Sequence, residues 1–433
     1  VRPWVFKIFS VVVRGRRGMG MTWRRLAAVF AVLGALHMSG CEGAPSPPVC
    51  DDTLGCVEIG PGAPVVLGVL QVLSGDLRTI GMDQLRGVEL AVEDLGGAVA
   101  GHPVALKLED SLCTEAGGST AALRLAADPA VVAVIGPTCS SAAVSASRVL
   151  SEAGLTMISG SSTAPTLTAV AGERGAAWRP GFWRTAQNDA LQGKAAATFA
   201  RERLGARRAA TVDEGDAYTR GLAQAFARVF EALGGEVVLA TAVNKGDADM
   251  RPVIEALAMS GAEFLFLPLF RPEGDHFILQ ARAEGLLDRV RAMTSDGLYL
   301  PAFLDAVGGA AMGLYYVLPR KPTGSAYEAF VERYVARYGE APSTSYHAHT
   351  RDATVLLLSA VAAAAEKRPD GGLRLGRERL RRAVRATSGF HGLTGELRCD
   401  EFGDCGAVGF TVTRLEDPAA GISALDRNVL ETY

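Results

Sequence analysis

The strongest constraint on the fold lies between residues 131 and 168, where a short apolar run followed by a hydroxyl-rich loop occurs twice. Val131 to Ile135 is wholly apolar and runs into Gly136-Pro137. Residues 140–152 are small and suit a helix. A second apolar run, Leu155 to Ile158, ends in Ser159-Gly160-Ser161-Ser162-Thr163. The pattern predicts a β-α-β unit with a polar loop beyond the carboxyl end of each strand. Open α/β sheets bind ligands at that edge, because loop N–H groups and helix amino ends converge there. Neither loop carries Gly-x-Gly-x-x-Gly or Gly-Lys-Ser/Thr, so neither is built to cradle phosphate. Ser140, Ser141, Ser161, Ser162 and Thr163 instead offer hydroxyls beside a helix amino end, which suits a small carboxylate. Taken alone, Cys139-Ser140-Ser141 is equally an N-cap; the pairing of two hydroxyl loops is what favours binding.

The same alternation continues on both sides of this stretch. Strands are expected at 65–70 and 104–108 and helices at 81–95 and 114–127. A second series follows Phe182-Trp183-Arg184-Thr185: a helix at 190–203, a strand at 209–212 and a helix at 219–233. Strands at 236–241 and 264–267, a helix at 275–284 and a strand at 290–294 come next. Helices are then expected at 326–338, 345–365 and 374–386, a β-hairpin at 395–404 and a last strand at 408–413. The fold class is α/β, with two doubly wound, Rossmann-like lobes joined by a hinge. Lobe one is expected to cover 64–183 and 319–395, and lobe two 184–318 and 396–433.

The first forty residues read as a leader. From Met21, Thr22-Trp23-Arg24-Arg25 forms a basic start, residues 26–36 an apolar segment, and Met38-Ser39-Gly40-Cys41 a small-residue end before cysteine. The apolar segment is shorter than the roughly 20 residues of a membrane span. Removing 1–40 takes away seven Arg/Lys and no acid, so the formal net charge moves from −3 to −10 over the remaining 393 residues. That acidic balance argues against a nucleic-acid partner, and the length suits two domains. Residues 41–63, rich in Pro and Gly, read as a flexible tether. Of the seven cysteines, Cys50/Cys56 and Cys399/Cys405 are local pairs that could each close a small loop, which leaves Cys113 and Cys139 beside Cys41.

Enzymatic signatures are missing. The chain has no Gly-x-Ser-x-Gly elbow, no His-Glu-x-x-His and no P-loop, and its cysteine spacings do not suit zinc. His347 and His349 read as surface or cleft-rim residues, and Arg379, Arg381, Arg382 and Arg385 as a solvated helix face. No cofactor or metal is expected.

From about Val65 to Val412 the chain resembles the leucine/isoleucine/valine-binding proteins. Ile135-Gly136 to Ser141 and Ser161-Ser162-Thr163-Ala164-Pro165-Thr166-Leu167-Thr168 carry much of the likeness, with Gly395 to Asp404 matching a late glycine-aspartate pattern. These are periplasmic ligand receptors of branched-chain amino-acid ABC transporters with the type I periplasmic-binding-protein fold. The resemblance implies an amino acid or analogue as ligand, capture by hinge closure, a permease partner and a monomer. It implies that Cys41 sits in a lipobox and carries a lipid anchor to the membrane, with the protein in the periplasm. It implies a Cys113–Cys139 disulfide beside Cys50–Cys56 and Cys399–Cys405. Ser140, Ser161 and Thr163 would hold the ligand's carboxylate and ammonium, and Asp296 would pair with the ammonium where the family has Glu; alone, Asp296 is also a plausible helix cap. Tyr218, Phe270 and Tyr346 fall at aromatic positions, and Ile80 where the family has Tyr or Trp. These departures keep the amino-acid clamp and alter the side-chain pocket. The same fold as a ligand sensor without a transport role is the alternative.

Overall fold

The computed structural model describes residues 50–407 and 409–433. The expected leader, Cys41, the tether residues 42–49 and Val408 lie outside the described residues.

Two main sheets carry the architecture. The first runs in the order Ala98–Val99, His102–Asp110, Val65–Gln71, Val131–Ile135, Thr156–Ser159, Phe182–Arg184, and is parallel apart from the short edge strand Ala98–Val99. The second runs Glu236–Ala242, Arg208–Asp213, Phe264–Leu267, Arg291–Ser295, Tyr315–Pro319, Phe410–Arg414, Val429–Thr432. Its first five strands are parallel and its last two antiparallel. The central strands are apolar runs because helices cover both faces of a parallel sheet; every residue of Val131–Ile135 and of Phe264–Leu267 is buried.

Strand order, rather than any one motif, places the site. In the first sheet Val65–Gln71 lies between its successor His102–Asp110 and the later strand Val131–Ile135, so the loops after Gln71 and Ile135 leave in opposite directions. Arg208–Asp213 has the same position in the second sheet, between Glu236–Ala242 and Phe264–Leu267. Each lobe therefore opens a crevice at a switch point beyond its strand ends. Gly136 makes the first of these turns possible. Its φ is +113°, and a Cβ there would stand 1.9 Å from the Leu70 carbonyl oxygen. At Gly160 a Cβ would meet Thr350 Oγ1 at 2.2 Å, so the second hydroxyl loop can lie flat against the helix His347–Ala364.

The chain passes between sheets after Arg184, after Pro319, and between Cys405 and Phe410. Residues 396–405, expected in lobe two, pack with the first lobe: Leu397, Cys399 and Cys405 share its apolar cluster with Val69 and Trp183. The hairpin itself pairs Phe390–Gly392 with Gly395–Leu397, earlier than expected, and the Cys399–Cys405 loop follows it.

Arg184 is the post at this crossing. It has no solvent exposure, its Nε meets Asp404 Oδ1 at 2.5 Å, and its Nη1 donates to the carbonyls of Ser162 and Ala164. Its Nη2 reaches Thr168 Oγ1. One buried guanidinium thus fastens the hydroxyl loop to the last crossover.

The tether is shorter than its composition suggests. Cys56–Ile59 is a strand paired antiparallel with Leu373–Gly376, and Val57 and Ile59 are buried. Asp52 accepts from the backbone N–H groups of Glu378 and Arg379 and so caps the helix Arg377–Arg385. The period-two alternation of Cys56-Val57-Glu58-Ile59 was masked by the surrounding Pro and Gly. The alternation at Leu373–Gly376 likewise makes a strand where a helix from 374 was expected. The strand Val429–Thr432 was not foreseen.

All three disulfides form: Cys50–Cys56, Cys113–Cys139 and Cys399–Cys405. Both histidines, expected at the surface or the cleft rim, are buried. His347 bonds to Tyr327 Oη and the Thr344 carbonyl, whereas His349 has no side-chain partner and burial pushes it down to about 4. Arg381 is also buried, against the carbonyls of Ser151 and Leu155, because its helix packs on the first lobe, while Arg382 and Arg385 remain exposed.

Removing the partner of a buried ion strands the charge that remains. Asp404→Ala should lower unfolding stability by about 3 kcal/mol, the low end for a buried pair because Asp404 is itself partly exposed. Urea denaturation monitored by circular dichroism measures this, and an unchanged midpoint would show that Arg184 is satisfied by its carbonyls alone.

Candidate functional site

The loops at the two switch points face each other, and their side chains enclose one small cavity. Ile80, Thr138, Cys139, Ser140, Ser161, Thr344, Ser345 and Tyr346 line it from the first lobe. Tyr218, Phe270, Asp296 and Gly297 line it from the second. The space between them is small, about 30 Å³. The lobes are closed on each other here, and an apolar cluster runs from Tyr218 and Phe270 across to Ile80 and Cys139.

Asp296 stands at the end of the strand Arg291–Ser295 and reaches across the cleft. Gln192 Nε2 donates to its Oδ1 at 2.6 Å, Tyr218 Oη donates to Oδ1 at 3.2 Å, and Tyr346 Oη donates to Oδ2 at 3.1 Å from the other lobe. Burial pushes its carboxyl above the ordinary range, opposed by these hydrogen bonds. Tyr218 and Tyr346 are pushed well up by burial and by the nearby Asp296. Behind the wall, Asp189 is fully buried, and neither carboxylate oxygen has a hydrogen-bond partner among the described residues. Burial first, and repulsion from Asp296 second, hold it well above its usual value. The cavity lining holds no Lys, Arg or His.

The hydroxyl side is organised by the helix Ser140–Glu152. No side chain caps its amino end, so its first N–H groups are left for the cavity. Ser140 Oγ accepts from the Ala164 N–H at 3.1 Å and ties this helix to the second loop. Ser161 Oγ lies between Gln84 Oε1 at 3.0 Å and the Thr138 carbonyl at 2.8 Å. The Cys113–Cys139 bridge anchors the residue just before the helix, and Cys139 is itself part of the wall.

Of the ten ligand-contact residues expected from sequence, Ile80, Ser140, Ser161, Tyr218, Phe270, Asp296 and Tyr346 meet at this cavity. Ser141, Ser162 and Thr163 are buried behind it. Ser162 Oγ donates to the Pro137 carbonyl, and the Thr163 carbonyl accepts from the Asp189 N–H. Sequence reading missed Thr138, Thr344 and Ser345 in the wall and Gln192 and Asp189 behind it. The run Pro342-Ser343-Thr344-Ser345-Tyr346 and the N-cap pair Asn188-Asp189 were the available signals.

A family profile described as "Periplasmic binding protein" matches residues 64–406, most of the chain. The chain belongs to the periplasmic binding protein family. Members of this extracytoplasmic family are solute-binding proteins rather than enzymes. Among curated relatives, an amino acid binding protein of Pseudomonas aeruginosa is 31% identical over 249 residues, 57% of this chain and 64% of that protein. This falls just short of two thirds of the relative's length. A leucine-, isoleucine-, valine-, threonine- and alanine-binding protein of the same organism is 27% identical over 343 residues, covering 78% of this chain and 87% of its own. Among solved structures, a leucine-binding protein of Thermotoga maritima superposes with a TM-score of 0.72 at 26% identity, covering 82% of this chain and 96% of its own. No helix among the described residues is long and apolar enough to cross a membrane.

Glu214 gives this periplasmic binding protein a pH dependence. It is buried, accepts the backbone N–H of Phe270, and burial pushes its carboxyl up to about 8 from 4.5. The folded protein therefore holds the proton more tightly than the unfolded chain does. The stability from this group is complete below about pH 4.5 and is lost as pH rises to about 8. Melting temperature should fall between pH 5 and pH 8, and Glu214→Gln, which keeps the acceptor for Phe270, should flatten that fall. An unchanged slope in Glu214→Gln would assign the titration to other carboxyls.

Proposed function

We propose that the protein captures an α-amino acid between its two lobes and hands it to an ABC transporter. The observation that carries this reading is Asp296: a half-buried carboxylate that reaches across the cleft opposite an uncapped helix amino end, with no cation in the wall. A zwitterion fits both poles. Its carboxylate takes the free N–H groups and the hydroxyl of Ser140, and its ammonium takes Asp296, with Ser161 beside it. Neutral donors now hold Asp296; an ammonium is a stronger partner in a site shielded from water.

Because the two poles sit on different lobes, the ligand favours the closed form over the open one, which is what hinge capture requires. Names of relatives support the ligand class: two bind amino acids by description, and a solved neighbour binds leucine. Structures of the same fold have also been solved with benzoate and 4-hydroxybenzoate. An aromatic acid without an amine would meet Asp296 here with nothing to neutralise it, so the charge pattern favours the amino acid. Lipidation at Cys41 would hold the protein at the membrane beside a permease, with the short segment before Cys50 as tether.

Asp296→Ala should weaken amino-acid binding at least about 100-fold, because the ammonium would be buried unpaired. Asp296→Glu should retain much of the affinity. Isothermal calorimetry with the amino acid that gives the largest thermal shift tests both. Equal affinity in wild type and Asp296→Ala would reduce this residue to a structural carboxylate.

A further inference from the structure

One buried carboxylate outside the cavity has a set of partners that points back to it. Asp83 lies on the helix Arg78–Asp94, one turn beyond the cavity residue Ile80, and is only 2% exposed. Its Oδ2 accepts from the Thr344 N–H at 3.0 Å and from Thr344 Oγ1 at 2.6 Å, and its Oδ1 accepts from Tyr334 Oη. His347 Nδ1 lies 3.4 Å from Oδ2 and is shared with the Thr344 carbonyl at 2.8 Å. Tyr327 Oη closes the set on His347 Nε2 at 2.9 Å.

These contacts all converge on one short strap. Residues 339–346 join the helix Ser325–Tyr338 to the helix His347–Ala364 and contain no helix or strand. An irregular segment has no ladder of its own to hold its backbone, so side-chain acceptors must do it. This strap carries Thr344, Ser345 and Tyr346 to the cavity wall, and Tyr346 makes the bond to Asp296 of the other lobe. Asp83 fixes the strap 261 residues away in sequence.

We propose that Asp83 is a positioning residue for ligand capture: it pins the 339–346 strap so that Tyr346 meets Asp296 when the lobes close. This rests on the amino-acid reading of the same cavity. A carboxylate suits the task because both Oδ2 contacts come from donors, the Thr344 N–H and hydroxyl. An amide could keep both Thr344 bonds with its oxygen and turn its NH₂ toward Tyr334 Oη, so removal of the acceptors by alanine is what releases the strap. Burial makes such losses costly and so keeps the strap in a single arrangement.

The test has two arms on the full chain. In the first, hydrogen exchange is followed without ligand. Asp83→Ala should speed exchange at the backbone amides of Thr344 to His347 by about tenfold or more, with the amides of the strand Val131–Ile135 unchanged. Unchanged exchange at Thr344 would overturn the pinning. In the second, L-leucine is titrated by calorimetry into wild type, Asp83→Ala, Tyr346→Phe and the double variant. Asp83→Ala should weaken leucine about tenfold in wild type and about threefold or less in the Tyr346→Phe background, because both act through one contact. Independent effects in the two backgrounds would show that Asp83 serves stability alone. If wild type does not bind leucine, the same titration with the amino acid of largest thermal shift decides the capture role, binding of no amino acid overturns the ligand reading, and the exchange arm still decides whether Asp83 pins the strap.

Discussion

A carboxylate placed in a closed, cation-free space must be matched by donors, and Asp296 is matched from three directions. Gln192 comes from the helix that follows the first crossing, Tyr218 from the first turn of the helix Ala217–Ala232, and Tyr346 from the first lobe. One of the three comes from the opposite lobe, so this hydrogen bond spans the cleft. Neutral donors match the carboxylate only in part. Burial leaves the carboxyl raised despite three hydrogen bonds, and the proposed ammonium would be a stronger partner than any of them.

The surrounding structure holds rigid the groups that must meet there. Arg184 fastens the Ser161–Ala164 loop from beneath through two carbonyls and Thr168. The Cys113–Cys139 bridge fixes the start of the helix whose amino end faces the cavity, and Glu214 holds the backbone of Phe270. Asp83 does the same for the strap. Three buried ionisable side chains thus stand just behind the wall, each bonded to the backbone of a wall-bearing loop rather than to the cavity itself.

Much of this was legible in the sequence, for a physical reason. Strands buried on both faces are continuous apolar runs, so Val131–Ile135 and Phe264–Leu267 declare themselves. The residue just past each such run falls at the ligand-binding edge of the sheet. Ser140, Ser161, Tyr218, Phe270 and Asp296 were found in this way or through family resemblance, and they do converge. What stayed hidden depends on distant contacts. Only the hydroxyl run before Tyr346 hints at Thr344 and Ser345, because the contact that holds Thr344 comes from Asp83, far away in sequence. Thr163 lies two residues beyond Ser161 yet is buried outside the cavity lining, a distinction that loop geometry makes and composition does not. His349 looks like a polar surface residue until the helix His347–Ala364 is seen packed between the hydroxyl loop and the helix Arg78–Asp94. The strand Cys56–Ile59 was lost to its Pro- and Gly-rich surroundings.

The central claim is that charge on both ends of the ligand, rather than apolar bulk, drives closure. Calorimetric titration of L-leucine and L-alanine beside their des-amino counterparts, 4-methylpentanoate and propanoate, isolates the ammonium at constant side chain. The account predicts that the protein binds at least one of the two amino acids and that its des-amino partner is weaker by about 100-fold or more, the cost of leaving Asp296 without its cation. Equal binding of an amino acid and its des-amino acid would contradict it.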